Sequence, residues 1–127
     1  MTKYGIVGNR KGWSFSFVKA QLEQLNINSN DIIISGGAQG VDTFAQEYAR
    51  QKGVELWVLY PIPTVPSPKR YLDRNNEIAE RCDILVAFDK GSSAVSGTLS
   101  TINRAKNCKK KVIIFTEMIT EKEVNKK

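Results

Sequence analysis

Short runs rich in β-branched residues alternate along the chain with longer amphipathic stretches, the pattern of a parallel sheet whose strands are joined by crossover helices. Residues 4–7, 31–34, 54–60, 83–88 and 111–115 read as strands, and residues 14–25, 41–51, 69–81 and 98–107 as helices. In the first helix Phe15, Val18, Leu22 and Leu25 are spaced for one buried face. In the second Phe44, Ala45, Tyr48 and Ala49 are, with Gly53 just beyond as a stop. The consecutive Ile32, Ile33 and Ile34 suit a strand covered on both faces. Pro61, Pro63, Pro66 and Pro68 bar helix and central strand from the segment that holds them, which reads as a linker or a lid over a ligand. Right-handed crossovers leave few topologies for five parallel strands. The simplest is a Rossmann-like, doubly wound α/β sheet in the order 3-2-1-4-5, with its ligand edge at the carboxyl ends of the strands between strands 1 and 4.

The chain of 127 residues fits a single domain, expected over residues 1–116, with residues 117–127 as a frayed or loosely helical tail. Its 41% hydrophobic and 25% charged residues exclude a disordered or fibrous chain. The apolar stretch after Met1 is too short for a signal-peptide core or a membrane span, so a cytoplasmic protein with no membrane partner is expected. Cys82 and Cys108 lie far apart with no CxxC spacing, and the chain has no histidine, so both read as buried reduced thiols with no metal site. The net charge of +6 favours phosphorylated or polyanionic partners, although Lys126 and Lys127 read as a solvated end.

Three loops leave the predicted ligand edge. After strand 2, Ser35-Gly36-Gly37-Ala38-Gln39-Gly40-Val41-Asp42 must turn sharply from a strand into a helix. Its glycines leave backbone N–H groups open to an anion, or else serve only tight turning and close packing. A helix N-terminus contributes on the order of 0.3–1 kcal/mol to an exposed anion, whereas micromolar binding needs about 8 kcal/mol, so direct hydrogen bonds must supply most of it. The loop is not a Walker A motif, because no Gly-Lys-Ser/Thr follows. After strand 1, Gly8-Asn9-Arg10-Lys11-Gly12-Trp13 offers Arg10 for a phosphate, and Trp13 either stacks on a base or covers the first helix. After strand 4, Ser96-Gly97-Thr98 repeats the small-residue chemistry before a helix start, or supplies an ordinary N-cap. Arg74-Asn75, in the preceding helix, reads equally as a site contribution or as solvated surface.

These residues resemble the SLOG superfamily, which includes the Smf/DprA proteins, the LOG phosphoribohydrolases and small stand-alone YspA-like domains. Residues 35–42 match its Ser-Gly-Gly-Ala-x-Gly-x-Asp signature. Arg74-Asn75, Asp83, Phe88 and Ser96-Gly97-Thr98 match further positions, the last in place of a Gly-x-Gly-Thr loop. The resemblance is nearest to the YspA-like domains and runs from Gly5 to Phe115. It implies a nucleotide or nucleotide-derived ligand, of NAD or ADP-ribose type, held by Gly8, Asn9, Arg10, Ser35, Gly36, Gly37, Ala38, Gly40, Asp42, Arg74, Asn75, Ser96, Gly97 and Thr98. A ligand-binding or sensor module is the first expectation, with no certain cofactor, no metal and a homo-oligomeric state. LOG enzymes release ribose 5-phosphate from nucleoside monophosphates with a Pro-Gly-Gly-x-Gly-Thr-x-x-Glu motif. Here Gly97-Thr98 is followed by Leu99, Ser100 and Thr101, so the glutamate is absent and hydrolysis is demoted. DprA-type binding of single-stranded DNA is the second alternative, suited to the charge but lacking a clear run of interleaved aromatic and basic residues.

Overall fold

The computed structural model describes residues 1–90 and 97–116. Among the described residues nine elements follow in strict alternation: β1 (Lys3–Gly8), α1 (Phe15–Glu23), β2 (Ile32–Ser35), α2 (Val41–Lys52), β3 (Glu55–Val58), α3 (Lys69–Arg81), β4 (Ile84–Phe88), α4 (Gly97–Asn107) and β5 (Lys111–Phe115). The sheet is parallel throughout, in the order β3-β2-β1-β4-β5. The doubly wound Rossmann-like α/β fold expected from the alternation is therefore the fold adopted.

Strand alternation divides the core between the two faces of the sheet. Tyr4, Ile6, Ile33, Val86 and Phe88 pack with Val18 and Leu22 of α1 and Val41, Ala45 and Tyr48 of α2. On the other face Val7, Ile32, Ile34, Leu85 and Ala87 meet Ile78 and Ala79 of α3 and Ile102 and Ala105 of α4. Ile33, Ile34 and Ser35 are fully buried, as a central strand covered on both faces requires. The chain's crossovers change faces between β1 and β4, which pair along their length, from Tyr4 with Ile84 to Gly8 with Phe88.

Local chemistry sets the element ends. The Ser14 hydroxyl accepts the Phe17 N–H at 3.2 Å and caps α1. Gly53 closes α2 in the left-handed conformation, φ 67°. At the amino edge of the sheet, the Asp31 carboxylate accepts N–H groups of Thr2 at 2.8 Å and Asn28 at 3.0 Å, which hold its pKa below the ordinary 3.8.

Some expectations shift. Gly8 does not interrupt β1 but pairs within it. The third strand stops at Val58 rather than continuing to residue 60, because Tyr60 has swung out into solvent toward the proline segment. Cys82 is buried and free, but Cys108 is only half-buried, since it follows α4 where the chain turns toward the edge strand β5. Trp13 is 8% exposed, edge-on to Phe88 at 5.4 Å, and its Nε1 donates to Asn9 Oδ1, so it covers the core and has no face left for a base. The expected C-terminal tail, residues 117–127, and most of the loop after β4 lie outside the described residues. No described helix is long and apolar enough to cross a membrane.

Candidate functional site

Beyond the carboxyl ends of β1, β2 and β4 the structure opens a cavity of about 290 Å³. The β1 loop contributes Gly8, Asn9 and Arg10, the β2 loop Ala38 and Asp42, and the start of α4 Gly97 and Thr98. Helix α3 closes the remaining side with Arg74, Asn75 and Tyr71, while Val7 and Thr101 complete the lining. Nine of the residues expected from sequence thus share one cavity. Val7, Tyr71 and Thr101 were not among those expected. Tyr71 was legible, because it precedes Arg74 and Asn75 by one helical turn and so shares their face.

Each loop is braced by the next. A side chain on Gly8 would lie 2.5 Å from Val41 Cγ2, so only glycine lets the end of β1 rest on the first turn of α2. A Cβ on Gly40 would lie 2.4 Å from the Arg10 carbonyl oxygen, which seats the β1 loop against the N-terminus of α2. The Asn9 side chain joins the loops after β1 and β4: its Nδ2 donates to Asp89 Oδ1 at 3.1 Å, and its Oδ1 accepts the Lys90 N–H at 2.9 Å. Asn9 therefore shapes the wall with a side chain already engaged by protein.

Ser35, Gly36, Gly37 and Gly40 stand behind or beside the cavity rather than lining it. Ser35 is fully buried and its hydroxyl donates to the Asp42 carbonyl at 3.0 Å, so it has no reach to a ligand. Gly36 is wedged between the Arg74 guanidinium and the Asp42 carboxylate, and Gly37 lies under the Tyr60 ring. Close packing, joined at Gly37 and Gly40 by a positive φ, accounts for these glycines, and the loop offers the cavity Ala38 and Asp42 instead. Ser96 lies outside the described residues.

Two charged groups sit nearly buried at the cavity wall. Arg74 is 8% exposed; its Nη1 donates to the Gly36 carbonyl and its Nε to Asn75 Oδ1 at 2.8 Å. Burial pulls its pKa below the ordinary value, an effect that Asp42 opposes. Asp42 is 6% exposed, and its Oδ2 accepts the Ala38 N–H at 3.2 Å. Burial raises its carboxyl pKa above 3.8, against the Ala38 N–H and the positive charges of Arg74 and Arg10. Arg10 is exposed and forms no ion pair among the described residues. At the head of α4, the Gly97 carbonyl accepts the Thr101 hydroxyl at 2.8 Å and the Asn75 amide at 3.4 Å, which ties that helix start to α3. The cavity thus has an available cation, a helix N-terminus and a single carboxylate, Asp42, among its described lining residues.

No family model and no curated protein sequence matches the chain. Solved structures do. DNA processing protein A (DprA) from Streptococcus pneumoniae superposes with a TM-score of 0.75 at 22% identity, covering 94% of this chain and 52% of that one. DprA from Helicobacter pylori, described with a unique single-stranded DNA binding mode, gives 0.69 at 20% identity over 94% of this chain and 67% of its own. The structural-genomics protein TM1055 gives 0.64 at 17% identity over 88% and 72%. The chain spans about half the length of the pneumococcal protein. What it has in common with all three is the Rossmann-like fold.

Proposed function

We propose that the chain is a SLOG-type module that binds a nucleotide or nucleotide-derived ligand of ADP-ribose type in the cavity at the β1/β4 edge, acting as a sensor rather than an enzyme. The observation that carries this reading is the convergence of Arg10, the α4 N-terminus at Gly97-Thr98 and the Asp42 carboxylate on one cavity at the switch point of a doubly wound sheet. Arg10 and the N–H groups of the α4 start suit a phosphate. The volume, about 290 Å³, lies at the small end of ligand cavities and suits the sugar-phosphate part of such a ligand, with the remainder outside the cavity. A homo-oligomer remains the expected assembly, since β5 leaves an outer edge of the sheet with Ile114 exposed.

Against the hydrolase alternative, Thr101 stands where the family's glutamate would fall, and its hydroxyl is engaged with Gly97. Among the described lining residues one carboxylate, Asp42, is left to serve an oxocarbenium-like transition state. The DNA alternative draws on the Helicobacter pylori neighbour and on Tyr71, an exposed ring with the Arg70 guanidinium 5.6 Å from its centre.

Calorimetric titration with nucleoside mono- and diphosphates, cyclic nucleotides, ADP-ribose and a single-stranded oligonucleotide separates the three. The binding-module reading expects at least one small ligand bound with Kd below about 100 μM, roughly 5.5 kcal/mol. Arg10→Ala should weaken that binding tenfold or more, with no free base released on prolonged incubation. Binding of the oligonucleotide alone, falling steeply with salt, would replace it by the DNA reading.

A further inference from the structure

The Asp42 carboxylate is an awkward group to place in a phosphate site. It is 94% shielded by protein, counting its 6% exposure, and it lines the cavity. Only Oδ2 has a partner, the Ala38 N–H; Oδ1 accepts no hydrogen bond from any described residue. Among the described residues Arg70 Nε is the one fully buried side-chain nitrogen or oxygen without a partner, so the unpartnered Oδ1 is not sealed off and stays reachable at the cavity wall. The neighbouring cation does not fill the gap: Arg74 donates to Asn75 and Gly36 and forms neither a hydrogen bond nor an ion pair with Asp42. An anionic oxygen of a ligand is repelled from this position, whereas a neutral O–H donor completes it.

We infer that Asp42 is the specificity residue for a sugar hydroxyl, so that the site selects ribose over deoxyribose ligands, with the phosphate on the Arg10 side and the ribose hydroxyl on Asp42 Oδ1. This rests on the nucleotide-binding reading above and adds to it which part of the ligand the β2 loop recognises. The loop's geometry gives Asp42 the rigidity that such discrimination needs. Its backbone carbonyl accepts the Ser35 hydroxyl, its side chain is fixed by Ala38, and Thr43 Oγ1 closes the turn by donating to the Ala38 carbonyl at 3.0 Å. A hydrogen bond to a charged acceptor is worth roughly 1.5–3 kcal/mol, which corresponds to a preference of about 10- to 150-fold.

The test is calorimetric. Adenosine, guanosine, cytidine and uridine 5′-monophosphates are titrated into the full chain, and the tightest binder is compared with its 2′-deoxy and 3′-deoxy counterparts. At least one deoxy ligand should bind tenfold or more weakly. In Asp42→Asn the amide oxygen is retained by the Ala38 N–H and an NH2 group takes the cavity position, so the preference should fall below about threefold. Ribose and deoxyribose ligands bound within threefold of one another by the wild-type chain would overturn the inference while leaving nucleotide binding intact, and this comparison does not depend on the variant folding. Binding of none of the four monophosphates would overturn the inference together with its application to mononucleotides. An undiminished ribose preference in Asp42→Asn would assign the selectivity to another residue.

Discussion

At the scale of single residues, the sequence gives chemistry more readily than partners. Arg10 and Asp42 were legible as a cation and a carboxylate beside glycine loops. Arg74 was legible as a candidate beside Asn75, but its burial was not, because that depends on the Gly36 carbonyl, 38 positions away, and nothing within its own helix signals the contact. Trp13 shows the converse: an aromatic ring in a polar loop suggests stacking, but it is drawn into the core by Phe17 and Phe88. Asp42 carries a pH dependence whose sign follows from burial. Its folded carboxyl titrates above 3.8, so the unfolded chain gives up that proton first and stability falls as pH rises through the window from 3.8 to the raised value. The stability advantage of wild type over Asp42→Asn, measured by urea unfolding, should therefore be greatest below pH 3.8. It should shrink as pH rises through that window and stay level above it. A difference that grows with pH would mean that Arg74 and Arg10 outweigh desolvation.

At the scale of elements, α3 and β5 are found at the bounds expected, and the other helices and strands within a few residues of theirs. The misplaced ends are those governed by tertiary neighbours. Gly8 stays in β1 because Phe88 lies opposite it, whereas Tyr60 leaves the sheet for the proline segment. Helix α2 separates two uses of glycine at its two ends. Gly40 has φ 78° and ψ −126°, a conformation open almost only to glycine, and it faces the Arg10 carbonyl. Gly53 is left-handed but opens to empty space. Gly53→Ala should cost about 1 kcal/mol, whereas Gly40→Ala should cost about 2–4 kcal/mol by adding steric overlap to backbone strain. Urea unfolding of the two variants reads the difference directly. Equal losses would show that the seating of the β1 loop on α2 contributes nothing.

For the whole molecule, strand order was legible because handedness and the short connections leave few topologies, and that order alone puts the β1, β2 and β4 loops at one edge. What it could not give is the depth at which each loop residue sits. The three signature glycines lie beside or behind the cavity, and the groups facing it come from Ala38 and Asp42, from Arg10, from α3 and from the head of α4. The most direct measurement of this arrangement is a backbone amide NMR titration with the nucleotide found to bind. The account predicts the largest shift changes at Gly8, Asn9, Arg10, Ala38, Asp42, Asn75, Gly97 and Thr98, with Gly53 and the β5 strand unmoved. Changes concentrated instead on the proline segment or on Lys109, Lys110 and Lys111, with the cavity residues still, would contradict it.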